Sequence, residues 1–489
     1  MRTPLPHLSK TRFITGLQCH KLLWWTVREQ AAEELEVDPA LQAVFDQGSR
    51  VGAAAREHVP GGVLIDLPHG EYTARIAATR EAIDAGARVI YEAAFSVDGV
   101  YVAVDILEKV RRGWRVIEVK STLSVKEQHI PDLAVQVHVV RCAGLNVVSA
   151  ELMHLNRECR YPDLSNLFVR EDCSGAVEAL LPGIARQVRK QRRMLAGDLP
   201  IVDTGAHCAK PYACPFFDRC HDALAEYHVS TLYRVSGKRV QELVEAGFET
   251  IDALPDSLEL NAMHDRQRRA VLSGCTVVDA GLAAVLEEFA APIAFLDFET
   301  VAPAIPAWKG CTPYSAVPVQ FSCHVVDANG CARHYEWIAD GPGDPRRALA
   351  DALLEATRGV ERVVAWNASF EARCIQGMAA AMPSKARALR ALVDRLVDLL
   401  PVVRDHVYHP AFGGGFGLKV VLPALVEGLT HADLVISEGD VASAALARLL
   451  FTPESMTEVE RVALRNALLR YCERDTWGLV KLHEKLRSF

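Results

Sequence analysis

Two apolar runs interrupted by charge constrain this chain more than any other stretch. In DILEKVRRGWRVIEVKST, residues 105–122, Asp105 follows Tyr101-Val102-Ala103-Val104, and Glu118 and Lys120 follow Trp114-Arg115-Val116-Ile117. A sheet buries such runs whole, so ionised groups at their ends need partners that offset the cost of desolvation. Arg111-Arg112-Gly113 supplies the turn of a hairpin. Strand alternation then puts Glu118 and Lys120 on one face and Val119 on the other, and Asp105 is expected to meet Glu118 across the hairpin. Two carboxylates and the Val119 carbonyl form a hard oxygen site suited to Mg²⁺ or Mn²⁺. A surface hairpin with a weak Glu–Lys pair is the plainer reading.

At 489 residues, with 50% hydrophobic and 24% charged residues, the chain has the balance of a globular protein of about two to four domains. No apolar run reaches the roughly 18 residues of a membrane helix, and MRTPLPHLSKTRF lacks a signal-peptide core, so no membrane partner and a cytoplasmic location are expected. The net charge of −8 argues against a wholly basic nucleic-acid binder but leaves room for a local basic channel. Arg186, Arg189, Lys190, Arg192 and Arg193 share one helical segment and could line such a channel, or simply form a solvated face.

The chain reads as α/β in three sections. Section 1–225 opens with a helix capped by Ser9, followed by strands near 88–97, 100–108 and 113–119, a helix over 130–143 and a strand over 147–155. Section 226–288 is a helical connector, either a helix-hairpin-helix able to set backbone amides against a phosphate or a plain linker. Section 289–489 has strands near 293–300, 319–327 and 362–367, with helices near 345–357, 370–380, 385–399 and 458–485.

The first section resembles the PD-(D/E)xK nucleases of the RecB type, in particular the iron–sulphur branch that includes CRISPR spacer-processing nucleases. Asp105, Glu118, Lys120 and Gln136 carry the resemblance. It implies a restriction-endonuclease-like core in which a metal-activated water attacks a phosphodiester, Lys120 orients that water or stabilises the transition state, and Gln136 holds nucleic acid or a metal-bound water. Glu92, on a neighbouring strand, is expected to assist. Val139 and Val140 stand where that branch usually has a tyrosine, and His58 is the candidate for its motif histidine.

Of 13 cysteines most are scattered, but Cys208, Cys214 and Cys220 fall within HCAKPYACPFFDRC, and Cys19 lies far upstream. In the branch just named, one early cysteine and a late triplet bind a [4Fe–4S] cluster, so the resemblance implies that these four thiolates staple the first helix to the end of the section. Zinc remains the alternative ligand of four cysteines.

In the third section Asp297 and Glu299 stand two apart on a strand, Asn367 and Glu371 open a helix, and Tyr471 and Asp475 are four apart on another. This pattern resembles the tyrosine subtype of DEDD 3′–5′ exonucleases, which have an RNase H-like fold. It implies two metals about 4 Å apart held by Asp297, Glu299, Glu371 and Asp475, with Tyr471 orienting the attacking water. Glu371 replaces the aspartate usual at the second motif, and Asp398 is either a further ligand or a helix-face acid. Gly413-Gly414-Gly415 and Lys419 mark either a close backbone approach or a flexible turn.

Together these features resemble an uncharacterised bacterial family of fused nucleases. They imply a metal-dependent nuclease with two active sites acting on DNA, preferably single-stranded or frayed, in repair, DNA processing or phage defence. The alternatives are a 3′–5′ exoribonuclease and a non-catalytic nucleic-acid adaptor.

Overall fold

A computed structural model describes residues 7–489. The chain is mixed α/β and divides into two compact units. The first runs up to Ala223 and takes in Ala304–Pro306 and Cys311–Tyr314; the second comprises Leu224–Pro303, Ala307–Gly310 and Ser315–Phe489. Residues 226–288 fall in the second unit. Among the described residues, no helix is long and apolar enough to cross a membrane.

The strands of the first unit are β1 (Leu8–Ser9), β2 (Val63–Leu64), β3 (Val89–Val97), β4 (Val100–Val110), β5 (Gly113–Lys120), β6 (Val147–Leu155) and β7 (Phe168–Asp172). They form one sheet in the order β2-β3-β4-β5-β6-β7, with β1 paired to β4. β3, β4 and β5 are antiparallel neighbours, whereas β6 runs parallel to β5. The turn before β5 needs glycine, because a Cβ on Gly113 would lie 2.3 Å from the Asn146 carbonyl oxygen. The helices are α1 (Lys10–Gln18), α2 (His20–Arg28), α3 (Pro39–His58), α4 (Tyr72–Asp84), α5 (His129–Cys142) and α6 (Ser174–Leu195). Phe13, Leu133, Val137 and Val188 pack on one sheet face with Val102, Val104 and Val116. Ala55 and Val59 cover Tyr91, Ile106 and Ile117 on the other.

The opening segment is two helices rather than one. Ser9 caps α1 by accepting from the Arg12 amide at 3.2 Å, but Cys19 is extended (φ −155°, ψ 131°) and separates α1 from α2. The apolar pattern on both sides could not reveal that break.

In the second unit, α7 (Gly237–Glu245), α8 (Ala262–Ser273), β8 (Val277–Val278) and α9 (Leu282–Leu286) precede the main sheet. That sheet contains β9 (Ile293–Val301), β10 (Val317–Val326), β11 (Ala332–Ile338), β12 (Arg362–Ala365) and β13 (Leu396–Asp398), in the order β11-β10-β9-β12-β13. β9 pairs antiparallel with β10 and parallel with β12. The remaining elements are α10 (Arg346–Ala356), α11 (Ser369–Ala381), α12 (Ala386–Val393), α13 (Leu399–His406), β14 (Val407–Tyr408), α14 (Leu418–Leu425), α15 (Gly439–Phe451) and α16 (Glu458–Arg487). β8 and β14 form a small antiparallel pair. A capping box of Thr457 and Glu460 starts the 30-residue α16.

Two elements differ from expectation. The helix expected over 385–399 stops at Val393, because Leu396–Asp398 adds a parallel strand to β12, and edge pairing outweighs local helix preference there. The sequence pattern also gave no sign of β11, whose residues are mostly exposed and therefore lack an apolar alternation. Gly414 (φ 83°) does allow a close backbone approach: a Cβ there would meet the Thr231 carbonyl oxygen at 1.9 Å.

Candidate active sites and a four-cysteine centre

In the first unit the strand ends bring Asp105, Glu118, Lys120 and Gln136 together. On β3, Ile90 and Ala93 share a core face, so alternation slips by one at Glu92, whose φ is 58°. The same slip occurs on β4 between Val104 and Leu107. Counted back from Leu107, it turns Asp105 toward the face that carries Glu118. Asp105 Oδ2 accepts from the Val119 amide at 2.7 Å.

Glu118 is only 2% exposed, and both of its oxygens accept hydrogen bonds. Its Oε1 accepts from Lys10 Nζ and Lys120 Nζ, both at 2.7 Å, and its Oε2 accepts from Gln136 Nε2 at 2.7 Å. Lys120 also bonds Asp132, and Lys10 lies 3.8 Å from Asp132 Oδ1. Burial would raise the Glu118 carboxyl, but the two ammonium groups outweigh it and hold the group well below the usual range. Asp105 goes the other way, pushed up to about 8 by burial and by the charge of Glu118. Asp132 is likewise raised by burial and by Glu118, and its Oδ1 is buried without a hydrogen-bond partner.

Lys10 and Asp132 escaped the sequence reading. Asp132 had a usable signal, since it sits one helical turn before Gln136 on α5. Lys10 had only its place at the start of a capped helix. Glu92 pairs with Arg75 at 3.6 Å and Arg56 at 4.0 Å. His58 meets the carbonyls of Ala54 and Leu164 at 3.0 and 2.9 Å and packs edge-on against Phe168, so both of its ring nitrogens face backbone carbonyls.

The four expected cysteines converge. Cys19, Cys208, Cys214 and Cys220 line one cavity with Leu22, Trp25 and Phe216, and all four are free thiols. The Cys214 thiol is raised by burial and by its three cysteine neighbours. Four soft ligands around one space fit an iron–sulphur cluster or a zinc ion. The shell is dry on one side: Phe216 is fully buried with its ring 5.1 Å from Trp25, and Arg219 lies over both rings while pairing with Glu29 and Glu34. Gln18 donates to the carbonyls of His207 and Tyr212 at 2.9 and 2.8 Å, tying α1 to the cysteine loop.

In the second unit Asp297 and Glu299 follow Ile293 and Phe295 onto the sheet face covered by α16. Cys472 Sγ donates to Asp297 Oδ2 at 3.4 Å. Ligand atoms of Asp297, Glu299 and Cys472 lie within 4.8 Å of one another. Asp475 Oδ1 faces His431 Nε2 at 2.9 Å. Glu371, in the first turn of α11, is buried, and its Oε2 lacks a hydrogen-bond partner.

These carboxylates repel one another. Burial raises Asp297 far above the usual range, and Asp475, Glu299 and Glu371 add to the shift. Glu299 is pushed to about 8 by burial and Asp475; Glu371 is pushed to about 8 by burial and Asp398. Tyr471 is raised by burial and by Asp475, Glu299 and Asp297. Its ring lies under Lys419 Nζ at 5.2 Å. A buried group of like charges with an orphaned carboxylate oxygen is the setting in which a divalent cation is stabilising. Cys472 and His431 were missed, because neither belongs to the spaced acidic pattern. Asp398 serves the backbone: its Oδ1 accepts from the Asn367 and Leu400 amides, each at 3.0 Å, capping α13.

Comparison with curated proteins gives no match. A family model described as Domain of unknown function (DUF2779) matches residues 294–416, which include Asp297, Glu299 and Glu371 and end before Tyr471 and Asp475.

Proposed function

We propose that the chain is a metal-dependent nuclease with two active sites, one in each unit, acting on DNA. The observation that carries this reading is the burial together of Asp297, Glu299, Glu371 and Asp475, which come from three distant segments. The mixed sheet with its acidic pair on the central strand β9 is compatible with an RNase H-like DEDD domain. The first unit, with acids on adjoining strands and Lys120 beside them, is compatible with a PD-(D/E)xK core.

Bound Mg²⁺ or Mn²⁺ would lower the pKa of an attacking water and neutralise charge at the scissile phosphate. In the second unit Asp297, Glu299, Glu371 and Asp475 would hold the ions, and His431 fixes the Asp475 carboxylate. Tyr471 presents a protonated hydroxyl beside them, suited to orienting a water. In the first unit Asp105 and Glu118 would hold the ion, with Lys10 and Lys120 supplying positive charge toward a phosphate. Gln136 orients Glu118 from behind. A [4Fe–4S] cluster on Cys19, Cys208, Cys214 and Cys220 would be structural, closing α1 and α2 onto the cysteine loop. Exposed Arg186, Arg189, Lys190 and Arg193 on α6 offer a basic strip for a nucleic-acid backbone.

The test is cleavage of end-labelled DNA and RNA in Mg²⁺ or Mn²⁺ by the parent, Lys120→Ala and Asp297→Ala. Loss of one activity in each variant is expected, by about 100-fold or more if preorganised charge stabilisation is removed. If the parent cuts neither polymer with either ion, the reading fails.

A further inference from the structure

A second cluster of ligating side chains lies in the second unit, apart from the carboxylates just described. His324 on β10 and His334 on β11 are directly opposed in the antiparallel register, and Glu473 on α16 lies over the same edge. Ligand atoms of these three residues lie within 4.8 Å of one another.

The histidines are held from behind by a chain of hydroxyls. His334 Nε2 meets Ser322 Oγ at 2.9 Å, Ser322 Oγ meets Thr476 Oγ1 at 2.6 Å, and Thr476 Oγ1 meets His324 Nδ1 at 2.8 Å. One nitrogen of each imidazole is thereby fixed, which leaves His324 Nε2 and His334 Nδ1 as the outward donors. His334 Nδ1 is 3.9 Å from Glu473 Oε1. The rings stack at 4.5 Å, with Trp477 bordering His324. Metal-bound histidines are oriented in this way, by a hydrogen bond on the nitrogen that does not bind. Burial of His324 favours the neutral, ligating form of its imidazole. Glu473 is about half exposed, so the cluster opens to solvent and an ion has a route in.

We propose that His324, His334 and Glu473 form a third metal site, specific for an imidazole-preferring transition dication of the Zn²⁺ class. Two nitrogens and one carboxylate suit that class better than Mg²⁺ or Ca²⁺, which prefer all-oxygen shells. The site does not depend on nuclease activity in either unit.

The test is calorimetric titration of Zn²⁺ into the full chain as purified, in excess Mg²⁺ to saturate the oxygen sites, with far-UV circular dichroism to confirm folding. The parent should bind one more equivalent than H334A and E473Q, whereas Asp297→Ala should retain it. Ser322→Ala, which frees the back nitrogen of His334, should weaken that equivalent by about 10- to 100-fold. Equal zinc stoichiometry and affinity in the parent, H334A and E473Q would overturn the proposal, whatever the outcome of the cleavage assays.

Discussion

Gln136 Nε2 donates to Glu118 Oε2 at 2.7 Å, and both side chains are sealed from solvent. One amide on α5 thus fixes the carboxylate that two lysines hold from the other side. A hydrogen bond to a charged acceptor contributes about 1.5–3 kcal/mol. Gln136→Leu should lower the stability of the first unit by that amount and weaken Mn²⁺ binding there. Calorimetric melting with and without Mn²⁺ checks both effects, and an unchanged melt would remove Gln136 from the site.

Lys10 stands in for positive charge beside Glu118 and Asp132. Lys10→Met leaves the carboxylate charge partly uncompensated and should cost about 1–3 kcal/mol in chelated protein. Added Mg²⁺ should recover most of the loss by taking over the neutralisation. A deficit that is the same with and without Mg²⁺ would mean that Lys10 matters only for packing.

The acidic group of the second unit has a definite pH signature. Glu299 and Glu371 are pushed up to about 8 from the usual 4.5. The folded state therefore binds these protons more tightly than the unfolded state. The stabilisation is complete below about pH 4.5 and is lost as pH rises through about 8. Thermal melts of chelated protein should fall across that window, and Mn²⁺ should flatten the slope by favouring the ionised carboxylates. A slope unaffected by Mn²⁺ would argue against a cation site.

Cys214 has three cysteine neighbours around one cavity. If the centre holds a [4Fe–4S] cluster, an anaerobic preparation of the parent should be brown with about four irons per chain, and Cys214→Ser should lose both. Phe216→Ala, which removes the fully buried ring from the dry side of the shell, should cost about 3–5 kcal/mol and speed loss of iron in air. Zinc without iron in the parent would assign the centre to a structural zinc.

The local pattern by itself determined much of the frame. Alternation placed Glu118 with Lys120 and Asp297 with Glu299, since neighbours two apart on a strand must share a face. Helical spacing placed Tyr471 one turn from Asp475. Tertiary structure decided what a period cannot carry. The slip on β4 between Val104 and Leu107 turns Asp105 inward, Cys19 breaks the opening helix, and Leu396–Asp398 joins the sheet instead of extending a helix. Lys10, Cys472 and His431 enter their sites only because distant segments pack against each other. Each of these is a contact between residues far apart in the chain, and the energy of such a contact depends on the partner, which no run of neighbouring letters records.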